Sequence, residues 1–127
     1  MHSCVVTVHA DMVDEYGHVN YKNLPRLFEV AQDAFIGCRG LSFSGIEQSW
    51  GLRSFVVKMT VIYKAQLREG EQVTIKTALA LGKTSLTFKQ EMEVPQGSVE
   101  IEMVVVLVGS DDRPRPIPSE LRAALES

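Results

Sequence analysis

Two consecutive alternating segments, between residues 72 and 94, constrain the fold more than any other feature. Every second residue from Val73 to Leu81 is Val, Ile, Leu or Thr, and residues 85–94 repeat the pattern with Leu86, Phe88, Met92 and Val94. Successive side chains of a strand point to opposite faces, so this period predicts two strands with one buried face each. Only Gly82-Lys83-Thr84 separates the segments, which predicts a hairpin. The pair therefore predicts an antiparallel sheet with one face that needs an apolar cover.

Residues 24–36 supply a segment that could cover this face. Their apolar side chains fall on one stripe at helical spacing, at Leu24, Leu27, Phe28, Ala31, Ala34 and Phe35. Pro25 is tolerated in the first turn of a helix, and Gly37 and Gly40 favour its end. The segment predicts a helix of about four turns whose broad apolar face lies on the sheet.

The remaining segments complete a five-stranded arrangement. We predict strands over residues 4–10, 55–65 and 99–108, a loop over residues 11–23, and a short terminal helix with Ser119 as its N-cap. Residues 55–65 carry apolar side chains on both faces, which is typical of a central strand. The order is strand, long helix and four strands in meander-like succession. We therefore predict an α+β fold in one domain over residues 1–127, with a sheet of about five strands wrapped around one helix, as in the hotdog fold.

Composition excludes several classes of function. Thirteen basic and sixteen acidic residues give a net charge of −3, which argues against a general nucleic-acid binder. The basic residues are dispersed, and no apolar run approaches the roughly 20 residues that cross a bilayer, so we expect no membrane partner. The start resembles no secretory signal, and we expect a cytoplasmic protein. Cys4 and Cys38 have no metal-ligand spacing and are expected to be reduced thiols; a nucleophilic Cys38 would need an activating His.

The segment Asp14-Glu15-Tyr16-Gly17-His18-Val19-Asn20-Tyr21-Lys22-Asn23 carries the most specific motif of the sequence. It resembles the signature of the 4-hydroxybenzoyl-CoA thioesterase-like family, which has Asp, two variable residues, Gly, often His-Val-Asn, and then a helix with a central Glu. Glu29 occupies that last place. The Gly-Lys-Thr-Ser turn at residues 82–85 and Ile117-Pro118 are also similar, so the resemblance spans residues 5–122. Leu24, where the family often has Tyr, and Pro25 depart from the pattern.

The resemblance implies a hotdog-fold acyl-CoA thioesterase with its chemistry at the start of the helix. Asp14 would act either as general base on water or as nucleophile. The backbone N–H of Tyr21, near the helix N-terminus, would stabilise the oxyanion. Gly17 would permit a backbone shape that a β-carbon blocks, and His18 would order the loop or assist proton transfer. From the residues alone, the favoured interpretation of Asp14 is a loop or capping Asp that binds backbone N–H groups.

The substrate contacts implied by the resemblance lie further along the chain. Lys83 and Ser85 would meet the phosphates and nucleotide side of coenzyme A, and Lys58 and Lys64 are weaker candidates. Asn20 and Val57 would also contact substrate. Ordinary structural roles are favoured for several polar residues, Asn20 among them: a turn or cap for Asn20 and Asn23, a solvated strand end for Asp11, and a supporting position for Glu29.

The resemblance also implies an assembly. Hotdog domains resemble one another in pairing edge to edge, so we expect a homodimer or homotetramer in which two chains build each site. No metal is expected, and no cofactor beyond the CoA of the substrate. Three other activities stay open: hydrolysis of an acyl-carrier-protein thioester, non-catalytic acyl-CoA binding, and a hotdog dehydratase or hydratase, whose His motif is not matched by His18.

Overall fold

Five antiparallel strands form the sheet that the alternation predicts. The computed structural model describes residues 2–127, and its strands are β1 (His2–Thr7), β2 (Arg53–Tyr63), β3 (Gln72–Leu81), β4 (Ser85–Val94) and β5 (Gly97–Val108). Their order across the sheet is β1-β3-β4-β5-β2. Every neighbouring pair is antiparallel. The period of two is realised as predicted, because buried side chains in β3, β4 and β5 alternate with exposed or partly buried ones.

One long helix covers the inner face of this sheet. The helix α1 (Leu24–Gly37) buries its predicted stripe, including Leu24, Leu27, Phe28, Ala31 and Phe35. Two shorter helices follow, α2 (Phe43–Trp50) and α3 (Ser119–Glu126). The predicted α+β hotdog architecture, a five-stranded antiparallel sheet around one long helix, is confirmed.

The position of β2 corrects the prediction for residues 55–65. This strand pairs only with β5, through a β-bulge at Val57, and therefore forms an edge of the sheet instead of its centre. The connection from β2 to β3 crosses the sheet, so only β3, β4 and β5 form a meander. Seven apolar side chains of β2 are 38–62% exposed, namely Phe55, Val56, Val57, Met59, Val61, Ile62 and Tyr63. Two apolar faces predict burial, but a single chain does not supply the surface that buries them.

Three smaller elements also differ from the prediction. The first strand ends at Thr7, and a 3₁₀ turn occupies Ala10–Met12. The helix α2 was not predicted because it buries only Ile46, which leaves no periodic stripe; the Ser42 side chain caps it by accepting a hydrogen bond from the Gly45 N–H at 3.0 Å. The terminal helix is present, but Ser119 is its first residue. Pro118, in extended conformation, occupies the N-cap position, and no side-chain cap is formed.

A polar network interrupts the apolar contact between α1 and the sheet. Gln32, Gln90 and Thr77 are at most 4% exposed. The Gln90 Nε2 atom donates to the Phe28 carbonyl and to the Thr77 hydroxyl, each at 3.0 Å, and Gln90 Oε1 accepts from Gln32 Nε2 at 2.8 Å. Buried amides are costly unless they are paired, so this network fixes α1 in one position over β4.

Gly97, the first residue of β5, provides a test of the close backbone contact between this strand and Lys64. Its φ is +151°, and an added Cβ would lie 2.7 Å from the carbonyl oxygen of Lys64. We expect Gly97→Ala to lower the free energy of unfolding by about 2–3 kcal/mol, through backbone strain and overpacking, in chemical denaturation. Gly37→Ala is the control: its Cβ meets no atom within 4 Å, so the helix should gain up to about 1 kcal/mol. Equal stability of the two variants would contradict the close approach at Gly97.

Candidate active site

Asp14 lies in a tight turn between β1 and α1. Its Oδ1 atom accepts hydrogen bonds from the backbone N–H of Tyr16 at 2.9 Å and of His18 at 3.2 Å. Its own N–H donates to the His18 carbonyl at 2.8 Å. Among the described residues, Oδ2 makes no hydrogen bond and no ion pair. The carboxylate is thus fixed through one oxygen, while the other is available for chemistry.

Gly17 and His18 shape this turn through their backbones. Gly17 has a φ of +78°, and an added Cβ would meet no atom within 4 Å, so the constraint is conformational and not steric. His18 forms an antiparallel bridge with Arg68, and the next residue, Val19, donates to the Leu67 carbonyl at 2.8 Å. The loop is therefore joined to the segment that leads into β3.

A second turn connects this loop to α1. Asn20 Oδ1 accepts from the Lys22 N–H at 3.0 Å, and the Asn20 carbonyl accepts from Asn23 and Leu24. Asn20 thus has the capping geometry that its residue type favours. The helix itself begins at Leu24, as predicted, and Tyr21 lies three residues before it. No described residue accepts a hydrogen bond from the Tyr21 N–H, so this donor is open to a ligand.

Tyr63, at the end of β2, is a contact that the sequence did not assign. Its hydroxyl donates to the Val19 carbonyl at 3.3 Å, which joins the Asp14 loop to the exposed edge strand. Burial raises the pKa of the Tyr63 phenol, and the negative charges of Asp14 and Glu71 add to this increase. The signal in the sequence was an aromatic residue with a polar end at the boundary of a strand.

Several predicted contacts lie far from Asp14 within one chain. The loop pairs with residues 67–71, just before β3, whereas Lys83 and Ser85 lie at the opposite end of β3, ten residues away or roughly 30 Å. Val57 lies in the first half of β2, about six residues or roughly 20 Å from Tyr63. The single chain therefore does not bring Lys83, Ser85 and Val57 to Asp14.

Other polar residues near the loop have partners of their own. Asp11 forms an ion pair with Arg26 at 3.0 Å, and the hydrogen bond from Arg26 lowers the pKa of the Asp11 carboxyl. The Asn23 amide donates to the Met12 carbonyl at 3.3 Å. Lys64 and Arg68 line a cavity of about 390 Å³ beside the segment that pairs with the loop. Arg68 was missed because an isolated Arg in a connection carries no pattern.

Cys38 has a histidine neighbour that the sequence could not reveal. His2 Nε2 lies 3.2 Å from Cys38 Sγ, and both cysteines are free thiols. Cys38 is the C-cap of α1, so this pair lies at the opposite end of the helix from Asp14.

Two features are absent from residues 2–127. No three His, Cys, Asp or Glu side chains in this range are grouped so that they could hold a metal ion. In the same range, no helix has both the length and the apolar character needed to span a bilayer.

A match to a family model identifies the superfamily of this chain. Residues 8–125 match the family model described as the thioesterase-like superfamily, and the chain belongs to that superfamily. The hotdog sheet, the long helix and the loop at its N-terminus therefore belong to a thioester hydrolase. No curated protein shows significant similarity to the sequence.

Solved structures confirm the fold over nearly the full length. The chain is similar to Slr0204, a 1,4-dihydroxy-2-naphthoyl-CoA thioesterase from Synechocystis, with a TM-score of 0.88, 14% identity, and coverage of 98% of this chain and 95% of that one. A DHNA-CoA thioesterase from Staphylococcus aureus matches with a TM-score of 0.87 at 21% identity, and the match covers 98% of this chain and 87% of that one. The gentisyl-coenzyme A thioesterase BH1999 matches with a TM-score of 0.84 at 21% identity, and the match covers 98% of this chain and 99% of that one. At these identities the likeness concerns the fold alone.

Tyr63→Phe tests the contact between the loop and β2. We expect a loss of about 1 kcal/mol of stability, because one hydrogen bond to a main-chain carbonyl disappears. The phenol of the folded wild type should ionise above the pH range of an ordinary tyrosine. Its stabilising contribution is therefore present below that range and is lost as the pH rises through the folded-state pKa. Denaturation curves from neutral to alkaline pH for both proteins measure this, and parallel curves would contradict the contact.

Proposed function

We propose that the protein hydrolyses an acyl-CoA thioester to the free acid and CoA, with Asp14 as the catalytic carboxylate. The observation that carries the proposal is the Asp14 turn: Oδ1 is held by two backbone N–H groups, Oδ2 has no partner among residues 2–127, and the open Tyr21 N–H follows seven residues later. The CoA thioesterase names of the structural neighbours support CoA as the carrier.

Hydrolysis requires a carboxylate and an oxyanion donor that both reach the carbonyl group of the substrate thioester. Asp14 would either deprotonate the attacking water or attack the carbonyl itself. In the second route the C–S bond breaks, the CoA thiolate leaves and takes up a proton, and water then opens the resulting anhydride to release the acid and free Asp14. In both routes negative charge develops on the carbonyl oxygen, and the Tyr21 N–H is the donor that meets it. His18 would keep the turn in shape through its backbone, and Gly17 through its positive φ.

Asp14→Asn separates the chemistry from the structure of the turn. The amide oxygen can still accept the two N–H bonds, but the group can no longer act as base or nucleophile. We expect thiol release from acyl-CoA to fall by roughly 100-fold or more. Glu15→Gln, next to it and exposed, removes the same charge and should retain the activity.

The assay uses a panel of acyl-CoAs and one acyl-carrier-protein thioester, with thiol release as the readout. Full activity of Asp14→Asn would exclude Asp14 as the catalytic group. If the wild type releases thiol from no member, the protein is not the proposed hydrolase and the non-catalytic binding alternative gains support. Faster turnover of the carrier-protein thioester would change the carrier while leaving the chemistry in place.

We also propose that the protein forms a homodimer through β2. This strand is an edge with exposed apolar side chains on both faces, and such edges are commonly buried by pairing. Antiparallel pairing about a twofold axis would lay the first half of β2 against the second half of the other copy. Because Val57 lies near the middle of β2, it would then face the middle of the same strand in the other chain, and two chains would build the surface around each site.

Val61→Lys tests this interface by placing a charge on the edge strand. We expect the wild type at about 28 kDa, twice the 14.1 kDa of one chain, or at a multiple of it, in sedimentation, and the variant near the mass of the monomer. Val30→Lys is a matched control, because Val30 is also an exposed valine but lies on α1. A monomeric wild type, or dissociation by Val30→Lys alone, would contradict the assignment.

The same proposal gives a cellular location and contacts for the nucleotide. Two free thiols fit a reducing compartment, and we place the protein in the cytoplasm.

Lys64 and Arg68 lie beside the loop and would meet CoA phosphates within one chain, while Lys83 and Ser85 would reach them only across the assembly.

A further inference from the structure

A cavity of about 440 Å³ lies where the last turn of α1, the end of β3 and the terminal helix α3 meet. We call it the α1–α3 pocket. Its lining includes apolar and charged side chains, namely Phe35, Leu79, Leu81, Leu125, Arg39 and Glu126. Pockets that hold small organic ligands have volumes of roughly 300–1,000 Å³, and this one falls within that range. The fourteen residues of α1 separate it from the Asp14 loop by about 20 Å, so it is not part of the proposed active site.

Three contacts hold the Arg39 side chain in one orientation. Its Nε atom donates to the Leu125 carbonyl at 3.2 Å, and its Nη1 atom donates to the Phe35 carbonyl at 2.9 Å. The guanidinium carbon lies 3.7 Å from the centre of the Phe35 ring, which is itself buried in the core. A ligand would therefore meet a guanidinium that is already ordered, and binding would not have to restrict this side chain.

The guanidinium keeps donors that these contacts do not use. An arginine side chain has five N–H donors, and the two main-chain carbonyls occupy two of them. Among residues 2–127, Nη2 makes no hydrogen bond and Arg39 forms no ion pair. Glu126 also lines the pocket, but its carboxylate lies 3.7 Å from Arg122 Nη1. The Nη1 and Nη2 atoms together form the planar fork that binds a carboxylate through two parallel hydrogen bonds.

We propose that the α1–α3 pocket binds a carboxylate that carries an apolar body, and that Arg39 forms the ion pair with the carboxylate group. Leu79 and Leu81 are only partly buried, so an apolar body would remove their side chains from water. A ligand without charge would cover the guanidinium without giving it a partner, and a small anion would leave both leucines exposed. The site is separate from Asp14, and the proposal does not depend on the hydrolysis proposed above.

The first test compares ligands that share either the chain or the head group. Octanoate, 1-octanol and octylamine have the same chain, whereas acetate keeps only the carboxylate. Titrations followed by NMR give Kd from the methyl resonances of Leu79, Leu81 and Leu125, and the amide resonances of Gly17 and Tyr21 report on the Asp14 loop. We expect Kd for octanoate to be at least about tenfold lower than for the other three compounds, because only octanoate satisfies both the guanidinium and the leucines.

Charge variants on the two helices test the ion pair. Arg39→Gln should raise Kd for octanoate at least about tenfold and leave that for 1-octanol unchanged. Because Arg39 also joins α1 to α3, a second variant leaves it in place. Glu126→Gln removes a negative charge from the pocket and should lower Kd for octanoate by about two- to threefold at low ionic strength, with a smaller effect at high salt. Glu120→Gln is the matched control, since it removes the same charge from an exposed position of α3 outside the pocket and should leave Kd unchanged.

Several results would overturn the inference. Equal Kd values for octanoate and 1-octanol would exclude recognition of the carboxylate, and shifts confined to Gly17 and Tyr21 would place the ligand at the Asp14 loop. If a folded Arg39→Gln variant binds octanoate as the wild type does, the guanidinium only joins the two helices. Equal Kd values for Glu126→Gln and Glu120→Gln would likewise exclude a charge-dependent site. All of these measurements are made without a thioester, so a failure of the proposed hydrolysis would leave the result for the pocket unchanged.

Discussion

The contact between the apolar stripe of α1 and the inner face of the sheet is the interaction on which the other features depend. Leu27 and Phe28 are completely buried there, and each such side chain contributes roughly 2–3 kcal/mol. Because this contact fixes the direction of α1, it also fixes where the helix begins. The preceding loop must reach that point from the end of β1, and it does so through the turn that holds Asp14. Core packing thus determines the position of the Asp14 carboxylate indirectly, because it fixes the helix start that the loop must reach.

The sequence predicted the parts of the fold that have a period. The alternation in β3 and β4 and the stripe of α1 each extend over most of the element, because each element has one face in the core and one face toward solvent. The helix α2 buries one side chain and has no stripe, so no pattern could reveal it. The strand β2 has apolar side chains on both faces, which is the pattern of a central strand. Its edge position depends on pairing with β5 across the chain, and periodicity contains no information about pairing order.

The sequence predicted which residues form the candidate site, but it could not predict how their atoms are oriented. The spacing from Asp14 to Tyr21 marks a turn before a helix, and the turn is where the resemblance implies it. The orientation of the carboxylate, one oxygen on two N–H groups and the other without a partner, depends on the Gly17 conformation and the bridge to Arg68. Those contacts join segments about fifty residues apart. Lys83 and Ser85 match family positions, yet the length of β3 separates them from Asp14 unless a second chain is present.

One departure from the alternation in β4 connects the core to the position of α1. Gln90 occupies a core-facing position between Phe88 and Met92, where an apolar residue would pack without any polar cost. Its Nε2 atom donates to the Phe28 carbonyl on α1 and to the Thr77 hydroxyl on β3, and its Oε1 atom accepts from Gln32 on α1. A shift of α1 along the sheet would leave these buried groups without partners, which costs about 1–3 kcal/mol for each group. The network therefore penalises other positions of the helix, which purely apolar packing would tolerate.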